Sequence, residues 1–378
     1  MSNKRIGVIA GDLQLYYKGV RDDYPSYTYD SPILQVLADD GYEIVVLVDS
    51  EAAKVKAEKK GVIELDTFGV PYTFGLMDDV DLLFLSILLV SKSQADLTDR
   101  LLTKIQEAAA RGVGILYRDS DEETWNAVKG TTADTRDSMV HKMRESGVKF
   151  STLIVSQRCV ELGTEDHPII YVPAVYCERH AARVRASLPD QGYDDQQHYL
   201  NSFAGAMTGR NYYPKLVEKL LAQFPELPSN AGCYMGRLGG LDIAGVITEI
   251  RAGLTHPGKY FGPINQSKFH LHGASWYAPR LRKNVDPLKS PPYGVLKLME
   301  GMYTNNKPFV ITLDVPELDV CNFPREHGVA TWPALEFTVP SDPVEFEEVR
   351  QTQYKALEMF EVGNWLKPIY ASAELAGY

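Results

Sequence analysis

From Val80 the chain reads VDLLFLSILLV, runs on from Leu97 to Arg111 as LTDRLLTKIQEAAAR, and after Gly112 resumes as VGILY, Val113 to Tyr117. The first run is apolar but carries an Asp and a Ser. It is also far short of the ~20 residues that cross a bilayer, so it fits a strand buried on both faces. The second run places apolar residues at helical spacing and stops at a glycine. Strand, helix, strand within one stretch is the unit of a parallel sheet covered by helices.

The same alternation extends to either side. Ile6 to Ala10 is a short apolar strand ending at Gly11, and Ser31 to Asp40 (SPILQVLADD) starts a helix with Ser then Pro and is stopped by Gly41. Tyr42 to Val48 (YEIVVLV) is the next strand, and Val148 to Ser156 and Ile169 to Val172 add two more. Residues 179–200 (RHAARVRASLPDQGYDDQQHYL) are polar, hold Pro189 and Gly192, and look like a linker. A second alternation follows: a weak strand at Asn201 to Ala206, helices at Tyr213 to Phe224 and Gly294 to Asn305, a strand at Pro308 to Leu313, and a last helix at Pro343 to Phe360. At 378 residues the chain is long enough for two such domains.

Composition places the chain among soluble globular proteins: 44% hydrophobic, 24% charged, no membrane-length apolar run. The N-terminus MSNKRIGVIAG enters a strand at once and shows no leader cleavage site, so the expected compartment is the cytoplasm. Four cysteines, Cys159, Cys177, Cys233 and Cys321, lie far apart and read as core thiols. The formal charge of −11 disfavours a polyanion partner, but the charge is uneven. Arg251 to Lys297 holds eight basic residues against the single acid Asp286, a window of +7 that leaves −18 for the rest. His256, His270 and His272 lie in the same window. It is either a polyanion-binding surface or an exposed basic loop.

Four stretches carry candidate chemistry. In GVLKLMEGM, Gly294 to Met302, a helix would put Lys297 and Glu300 three residues apart on one face, as a binding pair or an ordinary surface ion pair. In AGAMTGRNYYPKLVEKLL, Ala204 to Leu221, small residues before a helix start let backbone approach a phosphate. In ILYRDSDEETW, Ile115 to Trp125, Asp119 ends an inner strand, where it is either a proton acceptor or a turn cap; Asp121, Glu122 and Glu123 crowd the same loop. In Gly11 to Asp30, GDLQLYYKGVRDDYPSYTYD, twenty residues with five tyrosines are too many for a plain connection. Metal ligation has little support. Asp79-Val80-Asp81 precedes a buried strand, and His270 and His272 alternate as on a strand, exposed in one direction, without a third ligand. P-loop and nucleophile-elbow motifs are missing from the sequence.

Taken in chain order, these elements and stretches resemble the GT-B glycosyltransferases and, within them, the DNA beta-glucosyltransferases of T-even bacteriophages. The resemblance follows element order along most of the chain and is weak residue by residue. It implies two Rossmann-like domains facing across a cleft, at 1–180 and 201–345, a linker at 181–200, and a C-terminal helix and tail, 346–378, crossing back. It implies an inverting glycosyltransferase that moves glucose or a pentose from a UDP-sugar onto a 5-hydroxymethylated pyrimidine in DNA. The catalytic base would be Asp119; Gly205, Thr208, Arg210, Lys297 and Glu300 would bind the donor, Arg210 and Lys297 at the diphosphate and Glu300 at the ribose. Asp30, Arg280, Arg282 and Lys283 would bind the acceptor. The sequence departs from the family where Thr208 replaces an arginine and Lys297 stands for the more usual arginine, a point charge in place of a fork. The expected enzyme is a monomer without a membrane or required metal, Mg2+ serving at most as an activator. Two other readings stay open: a GT-B enzyme with a small-molecule, glycan or protein acceptor, and a non-catalytic nucleotide-sugar or DNA-binding protein.

Overall fold

The computed structural model describes residues 4–9, 13–19, 30–86, 95–119, 138–155, 157–188, 199–202, 205–206, 219, 222–225, 235–236, 261–262, 264–273, 299–314, 331–333 and 339–377. The chain divides into two compact units, Met1–Val175 with Val362–Tyr378, and Tyr176–Glu361.

In the first unit, β1 (Arg5–Ile9) is followed by α1 (Leu13–Lys18) and α2 (Ser31–Asp39), β2 (Glu43–Leu47), α3 (Glu51–Lys60), α4 (Ile63–Phe68) and β3 (Thr73–Gly75). Then come β4 (Leu82–Ser86), α5 (Ala95–Ala110), β5 (Gly114–Asp119), α6 (Ser138–Glu145), β6 (Ser151–Ile154) and β7 (Ile169–Tyr171). The seven strands form one sheet in the order β3-β2-β1-β4-β5-β6-β7. Every pair is parallel. The chain winds outward from β1 in one direction and from β4 in the other, so the carboxyl ends of β1 and β4 flank the switch point where such sheets bind ligands.

The central strands are buried throughout, which is why they read as unbroken apolar runs. On one face, Tyr16 of α1, Leu101 and Ile105 of α5 and Met139 and Met143 of α6 pack on Leu83, Leu85, Ile115, Tyr117 and Ile154. Each such side chain contributes ~1.5–3 kcal/mol of burial. On α2, Ile33, Leu34 and Leu37 are buried, with Pro32 in its first turn and Gly41, at φ +87°, just beyond its end. The last helix of the chain, α9 (Leu366–Leu375; α7 and α8 follow below), packs on β5, β6 and β7, and its Ser372 hydroxyl lies 2.8 Å from that of Ser151. Gly114 permits this approach: a Cβ there would stand 2.6 Å from the Ala376 carbonyl oxygen.

The second unit opens with α7 (Glu178–Ser187), where the sequence reading places the start of a linker. His180, Ala181 and Val184 form a narrow buried stripe among arginines, so a polar composition hides a docked helix. Residues 189–198 of the expected linker lie outside the described residues. Four parallel strands follow in the order β13-β12-β11-β8: β8 (Tyr199–Ser202), β11 (Ser267–Gly273), β12 (Phe309–Asp314) and β13 (Thr331–Pro333). A separate pair joins β9 (Gly205–Ala206) to β10 (Met235–Gly236).

The expected returning helix is two helices. α8 (Pro343–Leu357), started by Asp342, whose carboxylate accepts from the Val344 and Glu345 N–H groups, belongs to the second unit. It buries Phe346, Gln353, Tyr354 and Leu357. Two 3₁₀ turns, Glu358–Phe360 and Val362–Trp365, follow, and only the chain from Val362 onward, with α9, belongs to the first unit. The return therefore begins at Val362, not at residue 346. Among the described residues no helix is long and apolar enough to cross a membrane.

Candidate functional site

Two polar clusters stand out, one in each unit. In the first unit, Ser86 ends β4, Arg118 and Asp119 end β5, and Asp30 immediately precedes α2. Strand register pairs Ser86 with Arg118, while alternation turns Asp119 to the face of Ile115 and Tyr117. Asp30 and Asp119 are 0% exposed and Arg118 is 1% exposed. The Arg118 guanidinium donates from Nη1 to the Val172 carbonyl at 2.8 Å and from Nη2 to the Pro173 carbonyl at 2.9 Å.

Burial brings Arg118 down to about 10, against the opposing pull of Asp30, Asp119 and Tyr171, so it stays charged at neutral pH. Burial likewise pushes Asp30 up to about 6, against the Ser86 hydroxyl and Arg118, which favour its charge. The Ser86 hydroxyl helps the carboxylate without forming a well-directed hydrogen bond to either oxygen of Asp30. The arrangement is a buried cation close to two buried acids at the carboxyl edge of the sheet. There a proton can be held on, or removed from, a carboxyl close to physiological pH.

In the second unit, His270 sits in the middle of β11 and Glu300 opens a 3₁₀ turn, Glu300–Tyr303. His270 is 0% and Glu300 6% exposed, and His270 Nε2 lies 3.5 Å from Glu300 Oε2, an ion-pair separation longer than a good hydrogen bond. The turn is fixed from several sides. Arg185 donates to the Met302 carbonyl at 2.6 Å, and Asn265 Oδ1 accepts from the N–H groups of Asn305 and Asn306 at 2.8 and 3.0 Å. The Tyr354 hydroxyl donates to the Pro308 carbonyl at 2.7 Å, with its ring against Gly301. Lys307, at φ +48°, completes the bend into β12. Gln353 of α8 engages the N–H and C=O of Val310, at 2.9 and 2.7 Å, where β13 does not reach because it pairs only from Thr312 onward.

The sequence-predicted residues are distributed as follows. Asp119 ends an inner strand as expected, but it is sealed, and so is Asp30. Glu300 opens a 3₁₀ turn where an α-helix from Gly294 to Asn305 was expected; residues 294–298, including Lys297, lie outside the described residues. Gly205 is in β9, its backbone paired with Met235. Thr208, Arg210, Arg280, Arg282 and Lys283 lie outside the described residues, as do Asp121, Glu122 and Glu123.

Asp79 and Asp81 belong to a strand-start cluster. The Asp81 carboxylate accepts from the Arg5 N–H at 2.8 Å, and the Asp79 carbonyl accepts from the Arg5 guanidinium at 2.8 Å. His270, expected to be exposed, is buried beside Glu300 because it sits on the central part of a covered strand. Sequence reasoning passed over Arg118 and Ser86. The signal was there in ILYRD, a charged residue inside a buried strand, which must have partners.

No protein-family model and no curated protein matches the sequence. Among solved structures, the chain is similar to an alpha-glucosyltransferase in complex with UDP and a 13-mer DNA containing a HMU base. The identity is 11%, the match covers 99% of this chain and 100% of that one, and the TM-score is 0.52. An alpha-glucosyltransferase in complex with UDP and a 13-mer DNA containing a central A:G mismatch aligns at 9% identity over 100% of this chain and 95% of that one, with a TM-score of 0.43. The sequence resemblance is to beta-glucosyltransferases, whereas the aligned structures are alpha-glucosyltransferases. With its two parallel-sheet units aligned from end to end on the first of these, the chain has the GT-B glycosyltransferase fold.

Proposed function

We propose that this chain is a glycosyltransferase that moves a glucose or pentose unit from a UDP-sugar onto a 5-hydroxymethylated pyrimidine in DNA, modifying phage DNA. The observation that carries this reading is the full-length likeness of fold to a glucosyltransferase bound to UDP and HMU-containing DNA. The polar clusters agree with it. An acceptor-side carboxyl group belongs at the carboxyl edge of the first sheet, where Asp30 and Asp119 flank Arg118. A ribose-binding carboxylate belongs on a rigid turn, which is where Glu300 stands.

In the proposed reaction the hydroxymethyl oxygen of the acceptor attacks the anomeric carbon. The bond from that carbon to the UDP oxygen breaks, UDP departs with the electron pair, and the acceptor proton passes to Asp119, a group 0% exposed in this structure that the step requires to be uncovered. Lys297 and Arg210 neutralise the departing diphosphate, with Gly205 and Thr208 beside it; Glu300 holds the ribose hydroxyls. Asp30, buried near Arg118, is assigned to the acceptor side, and Arg280, Arg282 and Lys283 contact DNA phosphates. Direct displacement inverts the anomeric centre, so an α-linked donor gives a β-linked product. That outcome differs from the one named for the aligned structures.

The test is mass analysis of hydroxymethylated DNA after incubation with the protein and a panel of UDP-sugars. A hexose or pentose mass gain on the DNA is the expected result. UDP release without gain on DNA would move the acceptor to a small molecule, glycan or protein, a reading that the net charge of −11 favours. UDP binding with neither would leave a non-catalytic binding protein.

A further inference from the structure

We infer that Arg100, lying on the ring of Tyr17, is a contact for a DNA backbone phosphate in the first unit. The inference rests on the reading of DNA as the acceptor, and it concerns a cluster that none of the assignments above uses. Three connections leaving the carboxyl edge of the sheet supply it. Tyr17 comes from α1, after β1; Asp49 follows β2; Arg100 comes from the second turn of α5, after β4. β1 and β4 flank the switch point, where such sheets bind ligands.

The ring is a fixed surface. The Asp49 N–H donates to the Tyr16 carbonyl at 2.8 Å, and the Tyr17 hydroxyl donates to the Leu97 carbonyl at 2.6 Å, so α1 is tied both to the end of β2 and to the start of α5. Tyr16, itself buried, meets the half-buried Tyr17 ring edge-on with centroids 4.8 Å apart. The Arg100 guanidinium carbon stands 4.7 Å from the Tyr17 centroid. Stacking of this kind holds a guanidinium in one plane and leaves its N–H edge to fork a phosphate. The rotamer freedom that phosphate binding would otherwise remove is already reduced by the ring.

The N–H groups of Arg100 are not spent on neighbours. Its side chain is 63% exposed, and its one ionic partner among the described residues, Asp49, lies at 3.8 Å, beyond hydrogen-bond distance. The Asp49 carboxylate accepts instead from the Ser50 hydroxyl at 2.8 Å. Asp96, one turn earlier on α5, makes no ion pair with Arg100. Lys18, next to Tyr17 in the last turn of α1, is a second exposed cation on the same helix.

The experiment follows binding of a DNA duplex carrying one hydroxymethylated pyrimidine, by fluorescence anisotropy across a salt series, together with calorimetric affinity for UDP. The proteins are wild type, Arg100→Gln, Arg100→Lys, Tyr17→Leu and Lys149→Gln. Lys149, 78% exposed and paired with Asp166, precedes β6, so its replacement removes the same charge at the opposite edge of the sheet. Arg100→Gln is expected to weaken DNA binding about five- to tenfold and to lower the slope of log affinity against log salt by about 1, the signature of one lost phosphate contact. Arg100→Lys keeps the charge, so its slope should hold while affinity falls about threefold with the loss of the planar stack, and Tyr17→Leu should behave likewise. Lys149→Gln should match wild type, and UDP affinity should be unchanged throughout.

Arg100→Gln with the affinity and slope of Lys149→Gln would overturn the inference while leaving DNA as the acceptor. Wild-type protein without salt-dependent DNA binding would overturn the DNA reading itself, and the inference with it. A loss of UDP affinity in Arg100→Gln equal to its loss for DNA would move the guanidinium to the donor and overturn the inference. Full DNA affinity in both Arg100→Lys and Tyr17→Leu would mean that a point charge suffices and would overturn the stacked contact. Should Tyr17→Leu fail to fold, the two Arg100 variants, altered at an exposed side chain, decide the question alone.

Discussion

Arg118 is the bulkiest fully buried side chain among the described residues, and it has two carbonyls and two acids around it. Replacing it with Met keeps the volume but leaves two carbonyls and two carboxyl groups without their cation. Breaking such a buried group costs about 3–5 kcal/mol, so the urea midpoint of Arg118→Met should fall steeply, and an unchanged midpoint would contradict the burial of this cluster. Asp30 makes a prediction with a definite sign. Its carboxyl is raised from 3.8 to about 6, so below about pH 3 it is protonated in both folded and unfolded chains and contributes nothing. As pH rises to about 6 the unfolded chain loses its proton first. Stability then falls by about 3 kcal/mol in all and stays lowered above that window. In Asp30→Asn this fall should vanish, so the difference in melting free energy between variant and wild type should move in the variant's favour from pH 3 to pH 7. Any offset from the altered Arg118 surroundings is the same at both pH values, because the guanidinium is charged at both. Sequence reading reached Asp119 as a strand-end acid and Asp30 through the resemblance, at the end of the loop from Gly11, but not the arginine near both, because its carbonyl partners, Val172 and Pro173, lie more than fifty residues further along the chain.

Elements buried on both faces were legible, and elements that cover little apolar surface were not. β2, β4 and β5 announce themselves as apolar runs. α3 (EAAKVKAEKK) buries only Ala53 and Ala57, so it shows no apolar stripe, and its available signals were at its ends: the Ser50 cap accepting from the Ala53 N–H, and Gly61, at φ +66°, just after Lys59 and Lys60. β3, three residues long, is too short for alternation to register. The Glu300 turn was read as part of a helix because Met299, Met302 and Tyr303 have helical spacing. What stops the helix is tertiary, the Asn265 side chain capturing the Asn305 and Asn306 N–H groups and α8 closing over Gly301. A Cβ at residue 301 would lie 2.3 Å from the Tyr354 hydroxyl, which is held by the Pro308 carbonyl. Gly301→Ala should therefore cost about 1–3 kcal/mol and weaken UDP binding through the displaced Glu300. Adding Tyr354→Phe should recover part of the loss by removing the clashing oxygen. A fully additive double variant would show that the contact is not what limits the turn.

At the scale of the whole molecule, two parallel-sheet units were readable from the repeated strand and helix signals. The point of return was not, since the last helix read from the sequence ends at Phe360, and nothing in the stretch that follows marks Leu366–Leu375 as a helix of the other unit. The uneven charge, +7 over Arg251 to Lys297 within a total of −11, was readable too and leads to a separable prediction. Reversing Arg280, Arg282 and Lys283 together should weaken DNA retention and flatten its salt dependence while leaving UDP affinity unchanged; retention that survives the triple reversal would remove the window from the acceptor site. The mechanism is tested where stereochemistry and mutagenesis must agree. Direct displacement on an α-linked UDP-sugar gives a β-linked product and needs one carboxylate at the acceptor hydroxyl, assigned to Asp119. Asp119→Asn keeps the size of a fully buried side chain, so it should preserve fold and UDP affinity and lose roughly 10²–10⁴ in turnover. The anomeric proton coupling of the modified nucleoside should report the β linkage in the wild-type product. An α linkage would mean that the leaving and attacking oxygens share one face of the sugar, so a base on the opposite face would have no proton to take. Asp119→Asn should then turn over at nearly the wild-type rate, and the inverting assignment would fail on both measurements at once.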